Sequence, residues 1–117
     1  MWLLTNQNGR KGDNMRQYTD VRLTFTVEGL DLTTIEQPHM TFLQEFGKVF
    51  DTENVEIISE DTGSVLITQE QTALLKPGEV KVQLNFFNEY GLREASDEGA
   101  IIVESNLLRR ILERNGN

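Results

Sequence analysis

Val80-Lys81-Val82-Gln83-Leu84-Asn85-Phe86-Phe87 is the stretch whose reading decides the fold. Val80, Val82, Leu84 and Phe86 alternate with Lys81, Gln83, Asn85 and Phe87. Successive side chains of a strand point to opposite faces, so this period of two predicts a strand with one apolar and one mostly polar face. Lys76-Pro77-Gly78 precedes it, and Asn88-Glu89-Tyr90-Gly91 closes it with a glycine suited to a hairpin. Working outward, Val21, Leu23, Phe25 and Val27 repeat the pattern against Arg22, Thr24, Thr26 and Glu28. These two apolar faces are expected to make much of one core.

The remaining segments are shorter. Gly29 to Thr34 reads as a turn or loop, and Met40 to Phe46 as a strand. Gly47-Lys48 then predicts a tight hairpin into Val49-Phe50, and Val55 to Ile58 a further strand. Asp61-Thr62-Gly63 reads as a turn, with Asp at its first position and Gly supplying positive φ. Ser64 to Thr68 is again strand-like. Thr68-Gln69-Glu70-Gln71 has the form of a helix capping box, with Thr72 to Leu75 making a turn or two. Ala100 to Glu104 is the last strand. Ser105 is a candidate cap for a short helix over 106–114, with Leu107, Leu108, Ile111 and Leu112 on one face and Arg109, Arg110, Glu113 and Arg114 on the other.

Seven short strands separated by regular turns predict an all-β protein, a seven-stranded immunoglobulin-like β-sandwich with a short C-terminal helix. With 117 residues the chain makes one domain. Its expected parts are a flexible N-terminal arm over 1–15, a sandwich over 16–105 and an amphipathic helical tail over 106–117. The arm is polar and rich in Gly and Asn from Asn6 to Asn14, and reads as a flexible leader or an extended arm. Met15 stands where the patterned sequence begins and is a candidate start.

Composition removes many chemistries. Cysteine is absent and His39 is the single histidine, so disulfides, thiolate sites and two-histidine metal sites are excluded. The missing cysteines also argue against an antibody-type domain. No apolar run approaches the ~18 residues that a membrane-spanning helix needs. The net charge is −8. Residues 1–16 carry three bases and one acid, and so do residues 106–117; the body between them holds the other seventeen acids and five bases, or −12. So acidic a body repels phosphate, and neither a nucleic-acid nor a membrane partner is expected. The basic ends suit an acidic surface, including that of a neighbouring copy.

Residues that could carry chemistry have plainer readings beside them. His39, next to Pro38, reads as structural or exposed rather than catalytic. Asp51, Glu53, Glu56, Glu60 and Asp61 could serve as paired carboxylates or calcium ligands. They lack the spacing of a calcium loop, and a solvated acidic edge that discourages strand pairing is the simpler reading. Glycines 47, 63 and 91 stand singly, so no phosphate loop is present. No catalytic residue, cofactor or metal is expected. Phe87 and Tyr90, near one hairpin, could stack on a sugar or pack on a partner.

The order of these pieces resembles a family of small structural proteins of phages and prophages of Gram-positive bacteria. The matching residues run from Leu23-Thr24-Phe25-Thr26-Val27 through Asp31-Leu32-Thr33-Thr34-Ile35 to Gln44-Glu45-Phe46-Gly47-Lys48-Val49. They continue through Val65-Leu66-Ile67-Thr68-Gln69-Glu70-Gln71-Thr72, Pro77 to Leu84 and Leu107-Leu108. The stretch from Val65 to Leu84 also looks like the N-terminal module of phage baseplate upper proteins. Members of the family start close to the first strand, so residues 1–14 are a departure.

The resemblance implies a non-enzymatic virion component, assembled in the bacterial host cytoplasm, that acts as a tail or baseplate assembly adaptor. Other phage structural proteins are its implied partners, and a homo-oligomer is expected. The interface is expected at Leu107, Leu108, Arg109, Arg110, Ile111, Leu112 and Arg114, with Phe87 and Tyr90. The arginines would meet acids such as Glu53, Glu56 and Glu60. Two alternatives stand beside this reading: a carbohydrate-binding module for a bacterial surface polymer, and a phage head decoration protein.

Overall fold

The computed structural model describes residues 2–6, 14–45 and 47–114. Among the described residues, ten strands form two sheets. In one, β1 (Trp2–Asn6), β3 (Val21–Val27), β7 (Thr62–Ile67) and β6 (Val55–Ile57) lie in the order β1-β3-β7-β6. The other holds β2 (Asn14–Arg16), β10 (Gly99–Glu104), β8 (Gly78–Phe87), β4 (Glu36–Gln44) and β5 (Gly47–Thr52) in the order β2-β10-β8-β4-β5, with β9 (Arg93–Ala95) also paired to β8. All pairings are antiparallel except β2 with β10. Four strands ordered A-B-E-D facing G-F-C-C′ are the immunoglobulin arrangement, and the chain is an immunoglobulin-like β-sandwich.

Alternation builds the core. Val21, Leu23, Phe25 and Val27 of β3 are buried, as are Val80, Val82, Leu84 and Phe86 of β8. Met40 and Phe42 of β4, Val65 and Ile67 of β7, and Ile101 and Val103 of β10 complete the inner faces. Phe50 of β5 stacks on Phe42 with ring centroids 4.6 Å apart. Burying side chains of this size contributes about 1.5–3 kcal/mol each, and no covalent staple is available to replace them.

Three strands lie beyond the seven expected from the sequence. β1 and β2 fall in what reads as a flexible arm over 1–15. Backbone pairing corrects that reading: Trp2 to Asn6 run antiparallel to Val27 to Leu23, and Met15 pairs with Val103 and is fully buried. Residues 7–13 of the arm lie outside the described residues. β9 is short and exposed throughout, so it shows no apolar period. It is held by Ser96, whose N–H donates to Leu84 O (2.8 Å) and whose Oγ accepts from Leu84 N (3.1 Å) where the return strand bulges.

Two local readings shift and a third holds. The hairpin between β4 and β5 closes on the Gln44–Gly47 pair, so Gly47, at φ +112°, ends the turn instead of starting it; Phe46 lies outside the described residues. Gly63 is a strand residue of β7 opposite Phe25, and the turn before it is held by Asp61 accepting from the hydroxyls of Ser59 and Thr62. The glycine is required by packing, since a Cβ there would stand 2.5 Å from Phe25 Cζ. The capping box at Thr68 is present, with Thr68 Oγ1 accepting from Gln71 N and Gln71 Oε1 accepting from Thr68 N, and α1 spans Gln69–Thr72.

The C-terminal helix expected from residue 106 onward does not form among the described residues. Residues 105–114 form neither helix nor strand and bend at 107, 108 and 110; 115–117 lie outside the described residues. An isolated helix of so few residues is marginal in water without a face to pack on. Side-chain amides instead bond this backbone at two places: Asn106 Oδ1 accepts from Leu108 N, and Gln69 pairs with the peptide groups of Leu112.

The fit of Phe25 on Gly63 generates a prediction. Gly63→Ala is expected to destabilise the fold by about 1–3 kcal/mol in urea unfolding, because the ring or the β3–β7 ladder must shift. The cost is expected to shrink when Phe25 is first changed to Leu, which separates a clash with the ring from a general intolerance of β7.

Candidate interaction surfaces

The strand directions give the sandwich two unlike ends. The loops 28–35, 58–61 and 88–92 gather at one. Val27 N donates to Asp61 O and Leu32 N to Glu60 O, which ties the first two together. Glu36 pairs with Phe87, which brings the third alongside. These loops hold Glu28, Asp31, Glu60, Asp61 and Glu89 and no lysine or arginine. Asp31 caps a 3-10 turn, Leu32–Thr34. The hydroxyl and backbone N–H of Thr33 both donate to Asp31 Oδ1 and hold its carboxyl below the usual carboxylate range. A groove of about 350 Å³ runs between residues 27–31 and 60–61.

The opposite end is closed by side chains bonding to loops. Thr72, fully buried, accepts from Thr19 N (3.0 Å) and donates to Thr19 O (2.8 Å). Gln17 Nε2 donates to Leu75 O (2.6 Å). Gln44 pairs with both peptide groups of Lys76, donating to its O (2.8 Å) and accepting from its N (2.9 Å). Gln69 treats Leu112 the same way, donating to its O (2.7 Å) and accepting from its N (2.9 Å). Each of these two amides acts as a one-residue strand partner.

The C-terminal segment leaves from this end. Its backbone is held, and its apolar side chains face water. Leu107 is 99% exposed, and Leu108, Ile111 and Leu112 are exposed as well. Arg109, Arg110 and Arg114 are exposed among them, and Arg109 Nε donates to Asn106 O. The sequence therefore places these residues together on the surface, although not on a helix.

Phe87 and Tyr90 lie at the other end, on the β8–β9 hairpin, so the residues expected at one interface form two separate groups. Tyr90 is 80% and Phe87 38% exposed. Phe87 lines a shallow groove of about 260 Å³ on the outer sheet face with Gln37, His39, Thr41, Asp51, Asn85 and Arg93. Sequence reading missed this groove, whose residues come from four strands. Its one local signal is Gln37-Pro38, where β4 loses register and Gln37 takes φ +52°. A non-glycine residue in that region costs free energy that the surrounding structure must offset. His39 Nε2 lies 3.4 Å from Glu53 Oε1, and Arg93 Nη2 donates to Asn85 Oδ1 at 3.3 Å.

The acidic run from Asp51 to Asp61 is divided by the fold. Asp51 is on β5, Glu56 on β6, and Glu60 and Asp61 in the loop-end turn. The chain changes sheets at Glu53-Asn54, where Asn54 N donates to Thr52 Oγ1 and Asn54 O accepts from Leu66 N. Asp51 and Glu56 thus stand on the edge strands of the two sheets, where charge opposes pairing with another edge.

Gln69→Ala is expected to free the C-terminal segment without unfolding the sandwich. Amide exchange at Leu112 should rise, and tryptic cleavage after Arg109, Arg110 and Arg114 should accelerate. The melting temperature should change little, since the buried core ends at Val103.

No family model and no curated protein matches the sequence. Among solved structures, the Clostridium thermocellum CbhA fibronectin(III)-like modules are similar at 14% identity and a TM-score of 0.43, over 94% of this chain and 100% of that one. The fold assignment rests on the strand order itself.

Proposed function

We propose that this chain is a non-enzymatic structural protein that works as an assembly adaptor, and that the particle it joins is a phage virion, at the tail or baseplate. The carrying observation is the C-terminal segment. Four large apolar side chains, Leu107, Leu108, Ile111 and Leu112, stand in water on a backbone clamped by Gln69 and Asn106. A held backbone with free apolar side chains is arranged for a partner, because exposing them contributes nothing to the monomer. The sequence resemblance supplies the virion setting. A head decoration protein would use the same physics at another place in the particle.

A carbohydrate-binding reading is favoured by a separate observation, the groove beside Phe87. An aromatic face flanked by Gln37, Asn85, Asp51 and Arg93 offers stacking together with planar donors and acceptors. Titration with host cell-wall polysaccharide, followed through chemical shifts of Asn85 and Arg93, would detect it.

The adaptor reading predicts that the protein is present in gradient-purified particles at a fixed ratio to the major tail or capsid protein by quantitative mass spectrometry. Removing residues 106–117 should leave the sandwich folded and abolish incorporation. A protein abundant in the lysate and missing from particles would defeat the reading.

A further inference from the structure

Resting on the adaptor reading, we infer that copies of this chain associate head to tail, the C-terminal segment of one seating in the acidic loop-end groove of the next. The groove of about 350 Å³ is lined by Glu28, Asp31, Glu60 and Asp61 beside Val27, Gly29 and Leu30. A second groove of about 190 Å³ shares residues 27–30 and extends toward Glu94 and Asp97. Among the described residues, neither is lined by a lysine or arginine. The C-terminal segment has the complementary composition: leucines beside Arg109, Arg110 and Arg114, with Glu113 as its one acid.

The occupant must come from another copy. Gln69 clamps Leu112 at the end of the sandwich opposite the groove, so a protomer's own segment does not reach its own groove. Symmetric pairing of two C-terminal segments would set arginines against arginines, and pairing of two loop ends would set carboxylates against carboxylates. Like-charge contact of this kind is penalised. The favourable contact joins unlike ends, and such a heterologous interface repeats into a ring or a filament. The Gln69 clamp lowers the ordering cost by holding the segment at Leu112 before it docks.

Sedimentation velocity on the full chain tests this. The wild type is expected to self-associate, and to do so less when salt rises from about 50 mM to about 500 mM, as screening shortens the reach of the charges. R109E/R110E/R114E and, separately, E28K/E60K should each weaken association by about tenfold or more, the combined effect of several exposed charge contacts. Both variants should melt like the wild type. Mixed in equal amounts they should assemble again, since each then offers the other a complementary end. A mixture that fails to assemble overturns the proposal. If E28K/E60K assembles like the wild type while the arginine variant does not, the segment docks elsewhere; the head-to-tail contact is then wrong and the adaptor reading stands. A wild type that remains monomeric also overturns self-association, and incorporation into particles then decides the adaptor reading independently.

Discussion

Two sheets closed over one apolar layer with no covalent staple are the constraint on which the rest of this structure depends. The layer is built from alternate residues of β3, β4, β7, β8 and β10, and it is held by burial alone. Such a layer tolerates little mismatch, because interiors are packed to near-crystalline density. Phe25 shows the consequence. Its ring lies over the backbone of Gly63, and the bare glycine lets β3 and β7 pair while the ring fills the space between the sheets. One missing methyl thus carries both register and packing.

Burial fixes the sheets and leaves the ends open, so the ends are tied by hydrogen bonds. Thr72 binds the 17–20 turn to α1, and Gln17, Gln44 and Gln69 each reach a backbone group on another segment. A buried hydroxyl without partners costs about 1–3 kcal/mol, and Thr72 avoids that cost by bonding both peptide groups of Thr19. The same device, a side-chain amide standing in for a strand, holds Lys76 within the fold and Leu112 at its margin. It extends the sandwich's hydrogen-bonding order to a segment with no strand of its own.

The sequence was legible where structure is local. The period of two in Val21–Val27 and Val80–Phe87 and the capping box at Thr68 each depend on residues within a few positions, and all three are present. β1, β2 and β9 were illegible because an edge strand is selected by its neighbour's unpaired backbone more than by its own pattern. Gly63 was misread for the same reason: the ring that demands a glycine lies 38 positions away in sequence. At 106–114 the helical period is real, but period sets only which face a helix would bury, and the apolar side chains of that face are exposed. Of the residues expected at an interface, Leu107 to Arg114 lie together on the surface because they are consecutive in sequence. Sequence reading could not separate them from Phe87 and Tyr90, whose end of the molecule is set by strand direction.

The charge distribution follows the same geometry and limits how copies can meet. Two of the sheet edges, β5 and β6, carry charge that opposes pairing with another edge. Lys48 and Asp51 occupy the first and Glu56 the second, and the bulge in the β4–β5 pairing further distorts that edge. The loop end gathers five carboxylates on three loops, and two of them make turns: Asp31 caps its 3-10 turn and Asp61 gathers two hydroxyls, while the third loop turns on Asn88 Oδ1, which accepts from the backbone N–H groups of Tyr90 and Leu92. Asp31 and Asp61 therefore serve the turns and the sign of that surface together, and Glu28, Glu60 and Glu89 add charge beside them. At the other end glutamines and threonines share the ties with Asp20, whose Oδ1 accepts from Gln69 N, and the C-terminal segment adds three arginines. The part of the polarity that Asp31 and Asp61 carry is bound to how the loops fold, because removing either means rebuilding its turn.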